Sequence, residues 1–357
     1  MFTQELTWRW AFYINLAVDG ACLIVITFLL DLYSPWITLF EGLRSVDWLG
    51  IVTITGATTM LLLGLQLGGV LYPWNSARVI CLLLFSGIIY GIFILTQYLS
   101  PSPIVPLSIF SHPSNLSALA VCFFDAFVIN SIVYTMPLYF QAVLRQTPLQ
   151  SGILMLAFAI PLSTTSACSG WIMERTGRFL EMLRLGLVLI TLGVGLFISL
   201  PPYIDYGKII PYLIIPGIGF GPNFHAPLLA LQTKLKDEDV ALGTATFGFV
   251  RMLSGAMGIV FGQIAYQSRM HEHIKELVNA GIEERLIQAM EKGSTISGSI
   301  AIGGLSATQI GVVRGAMIDS LRRAWILYTV TSFVGLLTSL GITKTKLVDN
   351  NRATIEE

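Results

Sequence analysis

An all-α polytopic membrane protein is the fold class this sequence predicts, and three observations predict it. Of its 357 residues 54% are hydrophobic and only 12% are charged, with a mean hydropathy of +0.73. Soluble domains carry about 25% charged residues, so this chain has too few charges to cover a water-facing surface. Apolar runs long enough to cross a bilayer, roughly 17–25 residues each, recur about nine times. Most of the gaps between them are short and rich in turn formers, such as YPWNSAR (72–78), PSPIVPL (101–107), ERTGRF (174–179) and LPPYIDYGK (200–208).

The runs fall at 10–30, 47–70, 79–99, 116–143, 151–173, 181–200, 209–231, 241–267 and 324–343. The first is too long for a signal-peptide core, and the preceding MFTQEL has no Lys or Arg, so a membrane helix is expected there. One gap is long, about 268–323. Within it Ile274, Leu277, Val278, Ile282, Leu286 and Met290 recur at helical spacing, as do Ile310, Val313, Met317 and Leu321. Both stretches read as amphipathic surface helices around a linker, GSTISGSIAIGG (293–304).

Lys and Arg total 21 and so do Asp and Glu, which leaves no basic field for nucleic acid. Cys22, Cys81, Cys122 and Cys168 lie in apolar runs without paired spacing and read as packing residues rather than as a disulfide or metal framework. With the first helix running inward, the cytoplasmic loops hold Arg44, Arg175, Arg178, Arg184, Lys234, Lys236, Lys344, Lys346 and Arg352, against Arg9, Arg78, Arg145 and Lys208 in the short outer loops. The long outer loop adds seven more, so the positive-inside rule supports this orientation only mildly. It also places the glycosylation sequon Asn115-Leu116-Ser117 in the cytoplasm.

Several phrases, in order along the chain, resemble the major facilitator superfamily, specifically its fungal fourteen-helix drug:proton antiporters. They are WRWAFYINL (8–16), DWLG (47–50), MPLYFQAV (136–143), LQSGILMLAFAIPL (149–162), SGWIMERTGRF (169–179), GIGFGPNFHAPLLALQ (217–232) and GTATFGFVRMLSGAMGIVFGQIAYQ (243–267). The resemblance implies that 1–46 holds the last helix of an N-terminal half and a central loop, and that 47–108 holds two linker helices. It makes 109–343 a complete C-terminal six-helix bundle and 344–357 a cytoplasmic tail. It further implies five helices lacking upstream, carrying the family's glycine- and proline-rich antiporter motif, and a substrate cavity between two halves. No bound cofactor is expected; a proton gradient supplies the energy. The expected partners are a small-molecule substrate, the lipid bilayer and the missing N-terminal half, with a monomer otherwise. The plasma membrane is the expected location, with the vacuolar membrane as the alternative.

A carrier of this kind needs polar groups near mid-membrane, where charges are costly and face the protein interior or a water-filled cavity. Arg251 lies about ten residues into the eighth run, hence about 15 Å deep, and Asp125 has similar depth in the fourth. The family superfold places both on the cavity side, which suggests a direct or water-bridged pair; alternatively Arg251 ties helices through backbone carbonyls. Where relatives often have His, this chain has Asp125, and where the family phrase tends to Gln it has His225, a residue that titrates near physiological pH. Asn223 beside it, and Asn130 and Tyr134 four apart on the fourth run, are either cavity-lining or helix-to-helix hydrogen-bonding groups. Gln141 extends that face, and Ser163, Thr164, Thr165 and Ser166 read more as packing glue. Asp19, mid-span in the first run, would find its partners in the missing half.

Glu174, Arg175 and Arg178 match the superfamily's cytoplasmic loop pattern and could form a charge relay latching an inner gate, or simply anchor the loop. Gly217, Gly219 and Gly221 follow no strand and carry no third glycine at nucleotide-binding spacing, so they read as a closely packed helix. His271-Glu272-His273 looks like a metal motif but reads as a solvated loop segment. The function expected is proton-coupled efflux of small amphipathic compounds such as drugs or fungal toxins. Siderophore or basic amino-acid transport, or a non-transporting truncated membrane protein, remain as alternatives; an intramembrane enzyme lacks any clustered acid/base pair. Without a first half, Asp125, Arg251 and His225 would face lipid, so the chain alone is expected to transport poorly.

Overall fold

A computed structural model describes residues 9–29, 40, 46–69, 72–100, 103–291 and 305–343. The chain divides into two units, Met1–Val46 and Asp47–Glu357. The first contains α1 (Trp10–Leu29), whose side chains are largely exposed, Asp19 among them. Its first turn is held where Phe12 and Tyr13 donate to the Arg9 carbonyl, and Trp10 meets Tyr13 edge to face at 5.9 Å.

The second unit opens with a helical hairpin, α2 (Trp48–Leu67) and α3 (Ala77–Leu99). The DWLG phrase has a local physical reason. Asp47 caps α2 by accepting from the Gly50 amide at 2.8 Å, and its other oxygen accepts from Gln97 Nε2 of α3 at 2.7 Å. Gln97 Oε1 in turn accepts from the Val105 amide at 3.0 Å, so one carboxylate ties the start of α2, the end of α3 and the following connection together. A Cβ at Gly50 would sit 2.6 Å from Gln97 Nε2, which is why that position is empty. Deeper in the hairpin the Ser86 hydroxyl donates to the Ala57 carbonyl, and Thr58 meets Tyr90 at 2.9 Å.

The bundle proper comprises α4 (Pro113–Leu138), α5 (Pro148–Thr176), α6 (Phe179–Phe197), α7 (Tyr206–Asn223), α8 (Ala226–Gln232), α9 (Val240–Glu272) and α12 (Ala307–Thr338), with short α10 (Ile274–Asn279) and α11 (Glu284–Glu291) between the last two. α4 packs against α9, α12 and α8; α12 also packs on α6; and α7 lies between α5 and α6. Lipid is as apolar as leucine, so these helices hold together by close packing and hydrogen bonds rather than by hydrophobic exclusion. The core shows both. Trp325 of α12 is wedged between Tyr139 and Phe197, with ring centroids at 5.6 and 6.1 Å, while Tyr139 Oη donates to the Pro201 carbonyl at 2.8 Å. Gly186 of α6 and Gly219 of α7 bring two backbones together: a Cβ on either would lie 2.6–2.7 Å from the other's carbonyl oxygen.

Three expectations need correction. First, eight helices among the described residues are long and apolar enough to cross a membrane, not nine. The run at 209–231 is broken at Phe224–His225 into α7 and α8, and α7 carries Lys208 and three prolines. Second, Ile310 to Leu321 is no separate surface helix. It is the first half of α12, which starts at a Ser306 capping box and buries Val313, Met317 and Leu321. Third, the long connection therefore runs only from about 273 to 306, and Arg269, Arg314, Arg322 and Arg323 belong to the helices at its edges. Asn115 of the sequon is fully buried in the first turn of α4, where no glycan can be attached. The 293–304 linker, the 344–357 tail and Arg44 lie outside the described residues.

α4 ends unusually. Pro137 supplies no amide, and Tyr139–Val143 form a wide turn in which the Leu144 amide donates to the Tyr139 carbonyl. Four of those five residues are buried, and Gln141 is the exception, donating to Ser151 Oγ at 3.3 Å.

Candidate functional site

Three elements build the candidate site: α4 with Asp125, α9 with Arg251, and the break between α7 and α8 with Phe224 and His225. α9 can approach α4 because of its small residues. A Cβ at Gly255 would lie 2.6 Å from Asn130 Nδ2, and one at Gly258 would lie 2.7 Å from Ser131 Oγ. The Ser254 hydroxyl donates to the Phe123 carbonyl, and Cys122 lies one turn before Asp125 with its thiol directed at the Phe247 carbonyl, 3.9 Å away. These ties hold the two helices together beside Asp125.

Asp125 is 7% exposed, and its Oδ1 is buried with no hydrogen-bond partner. Arg251 lies one turn from both Phe247 and Ser254, on the stretch of α9 that these contacts tie to α4 beside Asp125. The expected direct pair is nevertheless absent. The guanidinium donates from Nη1 to the Phe224 carbonyl at 3.3 Å and lies 3.7 Å above the Phe224 ring. Such a cation–π contact contributes about 0.5–2 kcal/mol depending on its desolvation. The arginine thus holds the α7–α8 break, the backbone-tying role, while standing next to an unpartnered acid. His225, at the break itself, is exposed and meets the Phe224 ring edge-on at 5.2 Å.

The other polar candidates go elsewhere. Asn223 is buried over Gly186 on the α6 side, donating to the Gly219 carbonyl at 3.0 Å with its Oδ1 unpartnered. Asn130 donates to the Ala126 carbonyl at 2.9 Å and fills the space over Gly255, so it serves the α4–α9 seam. Tyr134 crosses the same seam, its hydroxyl donating to Gln263 Oε1 at 3.2 Å. Thr165 donates to the Pro161 carbonyl and reaches the Ile218 carbonyl at 3.3 Å, tying α5 to α7. Asp19 belongs to the first unit and is exposed there.

Glu174, Arg175 and Arg178 are all exposed and form no relay. Arg175 lies 4.4 Å over the Trp171 ring, the Arg178 backbone amide donates to Thr176 Oγ1, and no ion pair among the described residues joins any of them to Glu174. The left-handed Gly177 (φ 66°) ends α5 between them and points the chain away from a continued helical face.

His271-Glu272-His273 is also not simply solvated. Glu272 pairs with Arg269 and, at 2.6 Å, with Arg323; His273 meets Glu276 at 2.9 Å and Asp319 at 3.0 Å, and Asp319 also pairs with Arg269 at 2.7 Å. Sequence reasoning missed this network, although the i,i+3 spacing of Arg269 with Glu272 and of His273 with Glu276 signals half of it. Burial alone would pull the His273 imidazole down. Its bonds to Glu276 and Asp319 outweigh that and hold its pKa above the ordinary histidine range. No group of three or more His, Cys, Asp or Glu side chains among the described residues is arranged to hold a metal ion. Phe224, the group Arg251 grips, was the other omission, since nothing in an apolar phenylalanine marks its carbonyl as exposed by a helix break.

Residues 1–259 match the family profile described as Major Facilitator Superfamily. The chain is 40% identical over 354 residues to the efflux pump dotC of Dothistroma septosporum, covering 99% of this chain and 60% of that protein. It is 37% identical over 354 residues to the MFS-type transporter ppz2 of Metarhizium majus, covering 99% and 61% of the two chains. The efflux pump aflT of Aspergillus parasiticus is 32% identical over 295 residues, 80% of this chain and 57% of that one. The chain therefore spans about 60% of the length of the curated relatives it matches.

Proposed function

This chain belongs to the Major Facilitator Superfamily, and from that premise we propose that it carries the C-terminal working half of a proton-coupled exporter of small amphipathic organic molecules. Relatives named as efflux pumps support the direction of transport. The observation that carries the coupling is the unpartnered, buried Asp125 oxygen beside an arginine engaged elsewhere. A carboxylate left unpaired inside a membrane is costly. It can be neutralised in two ways: a proton on Asp125, or the approach of Arg251.

The two choices move different parts of the protein. With Asp125 protonated, Arg251 stays on the Phe224 carbonyl and ring and holds the α7–α8 break. With Asp125 ionised, the guanidinium is drawn across to α4 and releases that break. Proton binding thereby biases two conformations, which is what alternating access requires. The Phe224 ring and the apolar helix faces around it suit an amphipathic, partly aromatic substrate.

The test is energised efflux of rhodamine 6G from yeast lacking its own drug pumps. The cells express this chain together with the part of the Dothistroma pump that lies outside the match. Efflux should stop on adding an uncoupler and in Asp125→Asn. The chain expressed alone should move little dye. Gradient-driven efflux that survives Asp125→Asn in folded protein defeats the proposed coupling.

A further inference from the structure

Away from Asp125 and Arg251, on the seam between α2 and α9, two clefts adjoin. One, of about 260 Å³, is lined by Leu65 and Gln66 of α2, Tyr134 of α4, and Ile259, Gln263 and Ile264 of α9. The other, of about 310 Å³, lies at the end of the seam among Gly68, Gly69, Trp74, Gln267, Ser268 and His271. Ile264 lines both, so the two run on from one another, and together they reach the size of ordinary small-molecule sites.

The outer cleft carries one unmet demand. Gln267 is 8% exposed, and its Nε2 is buried without a hydrogen-bond partner. One turn earlier Gln263 already holds the Tyr134 hydroxyl through Oε1. A buried amide donor left unpaired is costly, and an incoming acceptor relieves that cost. Gln267 already lines the cleft, and the broad terminal torsion of glutamine lets its amide turn. The opposite wall is preformed. The Gly69 amide donates to the Tyr72 carbonyl at 2.8 Å and the Tyr72 amide to the Leu67 carbonyl at 3.1 Å, closing the hairpin tip. Trp74 lies against the two glycines: a Cβ on Gly68 would meet its ring at 2.6 Å, and one on Gly69 (φ +75°) would meet the indole nitrogen at 2.7 Å.

We infer that this seam is a binding site, distinct from the mid-membrane site, for a small planar apolar molecule bearing a carbonyl. The flat body lies on the Trp74 indole and along Ile264, and the carbonyl accepts from Gln267 Nε2. Two sources present a carbonyl on an apolar body: a flat ketone or lactone dissolved in the membrane, or a membrane-lipid ester whose acyl chain takes the place of the flat body.

Purified full chain in detergent is titrated with 9-fluorenone and with fluorene, the same rings without the carbonyl. The signal is the quenching that wild type shows and Trp74→Phe lacks. The ketone should bind about tenfold tighter than the hydrocarbon, equivalent to about 1.4 kcal/mol. Gln267→Met, similar in length but without a donor, should bring the ratio to about one. Gly69→Ala, which displaces Trp74, should weaken both probes alike. Unlabelled phosphatidylcholine separates the sources: a fluorenone signal that the added lipid competes away assigns the site to lipid, and one that the lipid leaves unchanged assigns it to a dissolved ketone. Equal binding of the two probes, or a preference untouched by Gln267→Met, overturns the inference. Neither reading depends on transport, so a failure at Asp125 leaves this result standing and the reverse also holds.

Discussion

Replacing Gly219 by alanine should weaken the bundle, although alanine is the better helix former. The added methyl would stand 2.7 Å from the Gly186 carbonyl oxygen, 2.8 Å from the Ile190 nitrogen and 2.9 Å from Ile190 Cγ1. Ordinary van der Waals contact begins at 3.4 Å, and two of those three neighbours are backbone atoms that cannot swing aside. Relief requires α7 to retreat from α6, which also loosens Gly193 against Pro216 two turns along. Overpacking of this kind costs about 1–3 kcal/mol. Removing a helical glycine returns up to about 1 kcal/mol, so the net loss is about 1–2 kcal/mol. At roughly 2–4 °C per kcal/mol, melting should fall by about 2–8 °C. Gly311→Ala on α12 is the matched control, since a Cβ there meets nothing within 4 Å; its melting should stay level or rise. Intrinsic-fluorescence melting of both variants in the same detergent decides the matter. If Gly219→Ala melts at or above wild type, or if both alanines cost the same, the close α6–α7 approach is wrong.

Asp47→Ala removes a helix cap and frees Gln97, and should lower stability by about 1–2 kcal/mol in the same melting assay; Asp47→Asn, which keeps the cap acceptor, should lose less. Tyr139→Phe leaves the Pro201 carbonyl without its donor and should cost about 1 kcal/mol with little change in shape. His273 gives a pH signature. Its folded pKa is raised, so its stabilisation is complete below the unfolded value near about 6.5 and is lost as pH rises through the higher folded value. Arg269, Glu272 and Arg323 share its network and keep their charge over that window. Melting should therefore be higher near about pH 5.5 than near about pH 8.5, with part of that difference missing in His273→Gln; an unchanged difference would sink the assignment.

The membrane-spanning runs were legible because an apolar stretch of sufficient length has few other uses, and the hairpin α2–α3 sits within a few residues of its expected bounds. What hydropathy could not show was where helices join or break. Arg314, Arg322 and Arg323 interrupt the apolar pattern, so the first half of α12 looked like a surface helix, although Val313, Met317 and Leu321 are buried beside them. The α7–α8 break hides for the opposite reason, since Phe224 and His225 interrupt the backbone without interrupting apolar character for long. At the candidate site, depth along α4 and α9 put Asp125 and Arg251 near one another. Depth does not give direction, however, and the guanidinium faces Phe224 because a helix break offers a carbonyl with directional demand. Gln267 carried no sequence signal at all: an amide's lack of a partner is a property of three-dimensional neighbours.

The wide turn at Tyr139–Val143 bears on how this chain can vary in length. Such a turn takes in one residue more than an α-helical turn while leaving the helix before it in place. Loss of a single residue there would close the turn to ordinary geometry without rotating what comes before Pro137 or after Leu144. Gln141, the member that is not buried, is the residue whose removal disturbs the interior least. Elsewhere in α4 a deletion would turn every later side chain by about 100° and carry Asp125 or its neighbours off the α9 face. Chain length is therefore negotiable at one point of this helix and fixed along the rest of it.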